Sequence, residues 1–188
     1  MFVILDTETT GFPRDWRAPV SDVNNWPRIV QLAWVLCDEQ GNEHRRSSKI
    51  VRPEGFTIPL AAARIHGITM ERAESEGFPL LDVLGEFCAV LDVGGMVTLV
   101  AHNIEYDAKV LGAELIRAGI KSRFTTLPKI CTMKKATDYC NLPNRKYPKL
   151  DELHHVLFDI GFTGAHRASS DVDACARCFF ELRRRGIA

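Results

Sequence analysis

Runs of apolar residues along the chain change period several times, and each change marks an element. Phe2-Val3-Ile4-Leu5 is an unbroken run of β-formers, which predicts a strand buried on both faces, broken at Thr9-Thr10-Gly11. Residues 12–27 hold Pro13, Pro19 and Pro27 with two tryptophans and scattered polar residues, the pattern of a long surface loop with a role of its own. Ile29–Cys37 predicts a second strand, Asp38-Glu39-Gln40-Gly41-Asn42 a turn, and Glu43–Val51 a third strand, so the sheet opens antiparallel. Residues 52–77 read as loop with short helix. Leu80, Val83, Leu84, Phe87 and Leu91 recur at helical spacing before Gly94-Gly95. Met96–Ala101 predicts another strand. Val110, Leu111, Leu115 and Ala118 form the stripe of a helix over 105–118, closed by Gly119. A short strand ends at Ile130-Cys131, short helices follow over 132–140 and 150–157, and the last helix lies within 166–185. Strands first, then strand and helix in alternation, indicate an α/β fold with a mixed sheet flanked by helices.

A length of 188 residues suits a single domain over 1–188. Hydrophobic residues make up 46% of the chain, so a packed core is expected. Net charge is zero, from 24 basic and 24 acidic residues, which leaves local patches rather than the total to attract any polyanion. The first residues run into Asp6 without a basic leader, no apolar run reaches membrane-spanning length, and the six cysteines have no disulfide spacing. The expectation is a cytoplasmic protein with no membrane partner.

Four carboxylates are placed where acids are expensive. Asp6 and Glu8 lie two apart on a strand, so both point to one face and repel unless a cation lies between them. The bland alternative is two exposed acids in a turn. Asp107 opens a helix, where acids complement the dipole, yet it falls on the apolar stripe at three and four residues from Val110 and Leu111. Asp171 shares a helix face with Ala174, Cys175, Cys178, Phe179 and Leu182, and a carboxylate on such a face calls for a partner or a metal. Asp173 points away and reads as solvated. Oxygen ligands of this kind suit Mg²⁺ or Mn²⁺, and two such ions about 4 Å apart can activate a water and stabilise the leaving oxygen of a phosphodiester. His166, five residues before Asp171, could then serve as a general base.

Three segments carry a family resemblance. Val3-Ile4-Leu5-Asp6-Thr7-Glu8-Thr9-Thr10-Gly11, Val100-Ala101-His102-Asn103-Ile104-Glu105-Tyr106-Asp107, and His166-Arg167-Ala168-Ser169-Ser170-Asp171 resemble, in order, the three motifs of the DEDDh, DnaQ-like 3′–5′ exonucleases. The tyrosine branch of that superfamily would have Tyr where Arg167 stands. His66-Gly67-Ile68-Thr69 and the string 148–153 add likeness to the proofreading-type members, such as the epsilon subunit of bacterial replicative polymerases. The resemblance implies a ribonuclease H-like fold and release of 5′-mononucleotides from the 3′ end of DNA, single-stranded or frayed. It implies two Mg²⁺ or Mn²⁺ ions on Asp6, Glu8, Asp107 and Asp171, with His166 as base. Thr9, Gly11, Phe12, His66 and Asn103 would line the pocket of the terminal nucleotide, and a polymerase or replication partner is implied by the same likeness. Three departures stand out: the long 12–27 segment, Gln31 where members often carry Glu, and Cys131-Thr132 in place of Asp-Thr. An exoribonuclease of the oligoribonuclease or ribonuclease T type remains the rival reading, since the 2′-hydroxyl is read by local geometry. A non-catalytic nucleic-acid-binding module is a third, against which the complete ligand set argues.

Residues 121–150 carry eight bases (Lys121, Arg123, Lys129, Lys134, Lys135, Arg145, Lys146, Lys149) against Asp138 alone. They read as a phosphate-contacting flank or as an ordinary solvated face. Cys175 and Cys178, though spaced like half a zinc site, are expected to pack in the core.

Overall fold

The computed structural model describes residues 1–161 and 168–188. Five strands form one sheet in the order β3-β2-β1-β4-β5. β1 (Phe2–Thr9) lies at its centre, antiparallel to β2 (Ile29–Cys37), which is antiparallel to β3 (Glu43–Ile50). On the other side β4 (Thr98–Ala101) and β5 (Lys129–Cys131) run parallel to β1 and to each other. The expected antiparallel opening and mixed sheet are both present. β3 is an edge strand of exposed charged residues, a composition that blocks pairing with a further strand.

Strand alternation divides the core in two. Val3 and Leu5 pack on one face with α3 (Leu80–Leu91) and α4 (Ile104–Arg117). Phe2 and Ile4 pack on the other with α7 (Ala168–Arg184) through Val172, Cys175 and Phe179. α5 (Thr132–Cys140) and α6 (Leu150–Phe158) close over the far side of α7 around Leu153, Cys178 and Leu182. The segment read as loop with short helix forms two helices, α1 (Leu60–His66) and α2 (Met70–Glu76), which cover Val30 and Ile50. Their turns are too short for a clear apolar stripe. Among the described residues no helix is long and apolar enough to cross a membrane.

β1 is longer than its apolar run: it continues through Asp6 and Glu8 to Thr9, because β2 pairs with it along its whole length. β4, starting two residues later than the apolar pattern implied, pairs only with Phe2, Val3 and Ile4. Beyond Ile4 the β4 side of β1 is therefore open to a helix end. Asn103, in the left-handed conformation that asparagine tolerates, turns the chain sharply from β4 into α4 and brings that end alongside.

Candidate active site

Asp6 and Glu8 project from β1 toward α7, and Asp171 in the first turn of α7 meets them. One carboxylate oxygen from each lies within 4.8 Å of the others. Asp107 reaches the same corner from the opposite layer. It is 3% exposed, and its Oδ1 accepts from the Thr7 amide at 3.1 Å and the Thr7 hydroxyl at 2.8 Å. It thus occupies the position on β1 that a longer β4 would fill.

Burial raises each of the three carboxyls whose shift is resolved in this corner, and crowding of like charges adds to it at Asp6 and Glu8. Burial, then the charges of Asp107, Asp171 and Glu8, hold Asp6 well above the ordinary range. Burial, followed by Asp171 and Asp107, pushes Glu8 up to about 7. Burial takes Asp107 to about 7 against the pull of the Thr7 hydrogen bonds. All-oxygen donors that resist ionisation together are the donor set a hard divalent cation fits, since its charge offsets both the repulsion and the lost solvation.

Beside the carboxylates opens a cavity of about 550 Å³, of nucleotide size. Asp6 and Asp171 form its floor, and Phe12, His102, Asn103, Tyr147 and Lys149 are among its walls. Of the residues expected to line it, Phe12 and Asn103 do. Thr9, Gly11 and His66 stand behind the wall. The Tyr106 hydroxyl lies 2.6 Å from Thr9 Oγ1 and 2.7 Å from the Gly11 carbonyl oxygen, fixing the turn that presents Phe12. His66 is buried at the end of α1, beside the Thr9 backbone, with Nδ1 accepting from the Ile68 amide at 3.1 Å. Burial holds it below the usual histidine range, in its neutral form. His166 lies outside the described residues, so its expected role as base is not placed.

Several contributors escaped the sequence. His102 ties the cavity wall together, its Nε2 donating to the Pro148 carbonyl at 2.9 Å and its Nδ1 3.0 Å from Thr132 Oγ1. Glu114 is fully buried, with Oε1 accepting from Arg28 Nε at 2.8 Å and the Ile29 amide at 3.0 Å, and lying 3.1 Å from Arg117. It stands seven residues after Asp107 on the same stripe, so the periodicity that flagged Asp107 also reaches Glu114. The test finds buried acids, and their partners decide whether each serves a metal or an arginine.

The basic stretch 121–150 is not one patch. Lys129 donates to the Phe124, Thr125 and Leu127 carbonyls, while Lys134, Arg145 and Lys146 pair with Glu105, Asp138 and Glu152. Lys149 faces the cavity. Cys175 and Cys178 are buried free thiols in the core, as expected, and Asp173 pairs with Arg46 at the surface. Gln31 is opposite Glu8 in the β1–β2 register and donates to Ser48 Oγ at 3.1 Å.

Comparison with known proteins agrees with this geometry. The family model described as Exonuclease (RNase T) matches residues 3–179. The 3′-5′ exonuclease DinG of Bacillus subtilis (strain 168) is 30% identical over 183 residues, 96% of this chain and 17% of that protein. DNA polymerase III subunit epsilon of Treponema pallidum (strain Nichols) is 26% identical over 184 residues, 95% of this chain and 74% of that one. A structure of exonuclease I superposes with a TM-score of 0.78 at 18% identity, covering 97% of this chain and 40% of the other. Escherichia coli exonuclease I in complex with a dA16 oligonucleotide gives 0.74 at 20% identity, over 98% and 41%. At such identities the likeness carries the fold, which is ribonuclease H-like.

Proposed function

Starting from the exonuclease family, to which the chain belongs, we propose that the protein is a divalent-metal-dependent 3′–5′ exonuclease acting on single-stranded or frayed DNA. The observation that carries this reading is the convergence of Asp6, Glu8 and Asp171 to within 4.8 Å beside a nucleotide-sized cavity that Asp6 and Asp171 line, with Asp107 next to them. Two bound Mg²⁺ or Mn²⁺ ions would supply an acidified water and positive charge for the leaving oxygen.

The chain's own residues do the rest. Asp6, Glu8, Asp107 and Asp171 would hold the ions. His166, assigned from the His-x4-Asp motif, takes the proton of the attacking water. Water oxygen bonds to phosphorus, the bond to the upstream 3′ oxygen breaks, that oxygen takes a proton from solvent water to become the strand's new 3′-hydroxyl, and a 5′-mononucleotide leaves. Phe12 and Asn103 confine the terminal nucleotide, and Lys149 faces its phosphate. DNA is favoured because exonuclease I of the same fold is seen with a dA16 oligonucleotide. A polymerase partner is inferred from the epsilon relative alone.

The test is purified protein with Mg²⁺ or Mn²⁺ on matched DNA and RNA strands labelled at the 5′ end. A ladder shortening from the 3′ end, stronger on DNA, is expected. Stronger shortening of RNA transfers the protein to the exoribonuclease reading, and no degradation of either strand rejects both.

A further inference from the structure

The 12–27 segment is the largest departure from the family pattern, and it is fastened rather than loose. Arg117 donates to the carbonyls of Val23 and Trp26, the latter at 2.6 Å, and Trp26 Nε1 donates to the Pro19 carbonyl at 3.1 Å. The Asn25 side chain exchanges two hydrogen bonds with the Asp15 backbone, at 2.7 and 2.9 Å. Lys109 donates to the Trp16 carbonyl at 2.7 Å, and Val20 presses so closely on Gly112 that a Cβ there would lie 2.8 Å from its methyl. Ordering a loop of this length is costly in backbone entropy, and these contacts offset that cost and fix what the loop displays.

It displays Trp16. The indole is 52% exposed, whereas Trp26 and Trp34 are buried. Its ring centroid lies 5.7 Å from Tyr106 and 6.0 Å from Phe12, which is itself 76% exposed. Single exposed aromatics are ordinary, but adjoining ones at the rim of a site are not. Phe12 lines the cavity beside the carboxylates, and Trp16, in ring contact with both Phe12 and Tyr106, lies outside that lining. Arg14 and Arg17 flank it, exposed, with the Asp15 carboxylate between them accepting from the Arg17 amide. Aromatic faces interleaved with cations are the arrangement that grips single strands by stacking.

We propose that Trp16 is the stacking surface for the base immediately upstream of the nucleotide being removed. This rests on the exonuclease reading above. Two rings 6.0 Å apart and inclined by 39° cannot share one base face, but they suit successive bases of an extended strand.

The test compares two substrates at fixed Mn²⁺. One is thymidine 5′-phosphate p-nitrophenyl ester, which has a terminal nucleotide and no upstream base. The other is an eight-residue oligothymidylate. For Trp16→Ala, kcat/KM on the oligonucleotide should fall by about ten-fold or more, mainly through KM, and at least five-fold further than on the ester. Trp16→Phe, which keeps an aromatic face, should recover most of that loss. Equal losses on both substrates, or none on the oligonucleotide, would overturn the assignment while leaving the exonuclease intact. Wild-type protein inert on both substrates would overturn the exonuclease reading and this one with it.

Discussion

Glu8 should make the metal-free protein less stable as pH rises. Its carboxyl titrates near 4.5 in an unfolded chain and at about 7 in the fold, mainly through burial and then through Asp171 and Asp107. Below about pH 4.5 it is neutral in both states and has no effect. Between 4.5 and 7 the unfolded chain releases the proton while the folded chain retains it, so stability is lost with rising pH. Above about 7 the full cost stands, roughly 3 kcal/mol. His66 and His102 act in the opposite sense: both are held below the usual histidine range by burial, so falling pH destabilises the fold through them. The clean quantity is therefore the difference between wild type and Glu8→Gln, whose neutral amide resembles the protonated acid. Thermal unfolding in EDTA from pH 4.5 to 8 should show the variant gaining on wild type by roughly 6–12 °C at the alkaline end, at about 2–4 °C per kcal/mol for a domain of this size. Saturating Mg²⁺ or Mn²⁺ at pH 8 should raise wild type and move the variant less. A difference constant from pH 4.5 to 8 would refute the reasoning.

Asp171→Ala should abolish nucleotide release with the circular dichroism spectrum retained, because it removes one of three converging oxygens from the first turn of a helix packed elsewhere by Val172, Cys175 and Phe179. For His166→Ala, kcat should fall by roughly 10²–10⁴-fold while calorimetric Mn²⁺ binding persists; loss of binding would place the residue with the ligands instead. Glu114→Ala takes the buried carboxylate from Arg28, Arg117 and the Ile29 amide and should cost about 1–3 kcal/mol in urea denaturation, a cost absent if the pairing is incidental.

What the sequence disclosed follows from how local each signal is. Asp171 is legible because one charge breaks an apolar helical face, and the face is indeed buried. Asp6 and Glu8 follow from alternation along β1, although the strand itself outlasts its apolar run because β2 supports it. Glu114 was on a legible stripe, yet its role depends on Arg28, distant in sequence and brought near only by β2. The basic stretch reads either way in the sequence for the same reason, since Lys134 meets Glu105 and Lys129 meets carbonyls that no linear count reveals. Trp16 is the extreme case: its exposure is set by a loop whose fastenings come from α4.

That helix acts as a gauge between chemistry and grip. Asp107 near its start meets the carboxylates, Tyr106 steadies the turn behind Phe12, Lys109 holds the Trp16 backbone, and Arg117 at its end clamps the loop. From Asp107 to Arg117 is about 15 Å of rigid rise. The first turns of α4 therefore fix the Trp16 backbone within two residues of Asp107, while the clamp on Val23 and Trp26 sits at the helix's far end, so the spacing between carboxylates and indole is set locally and the remainder of the loop is anchored independently of it.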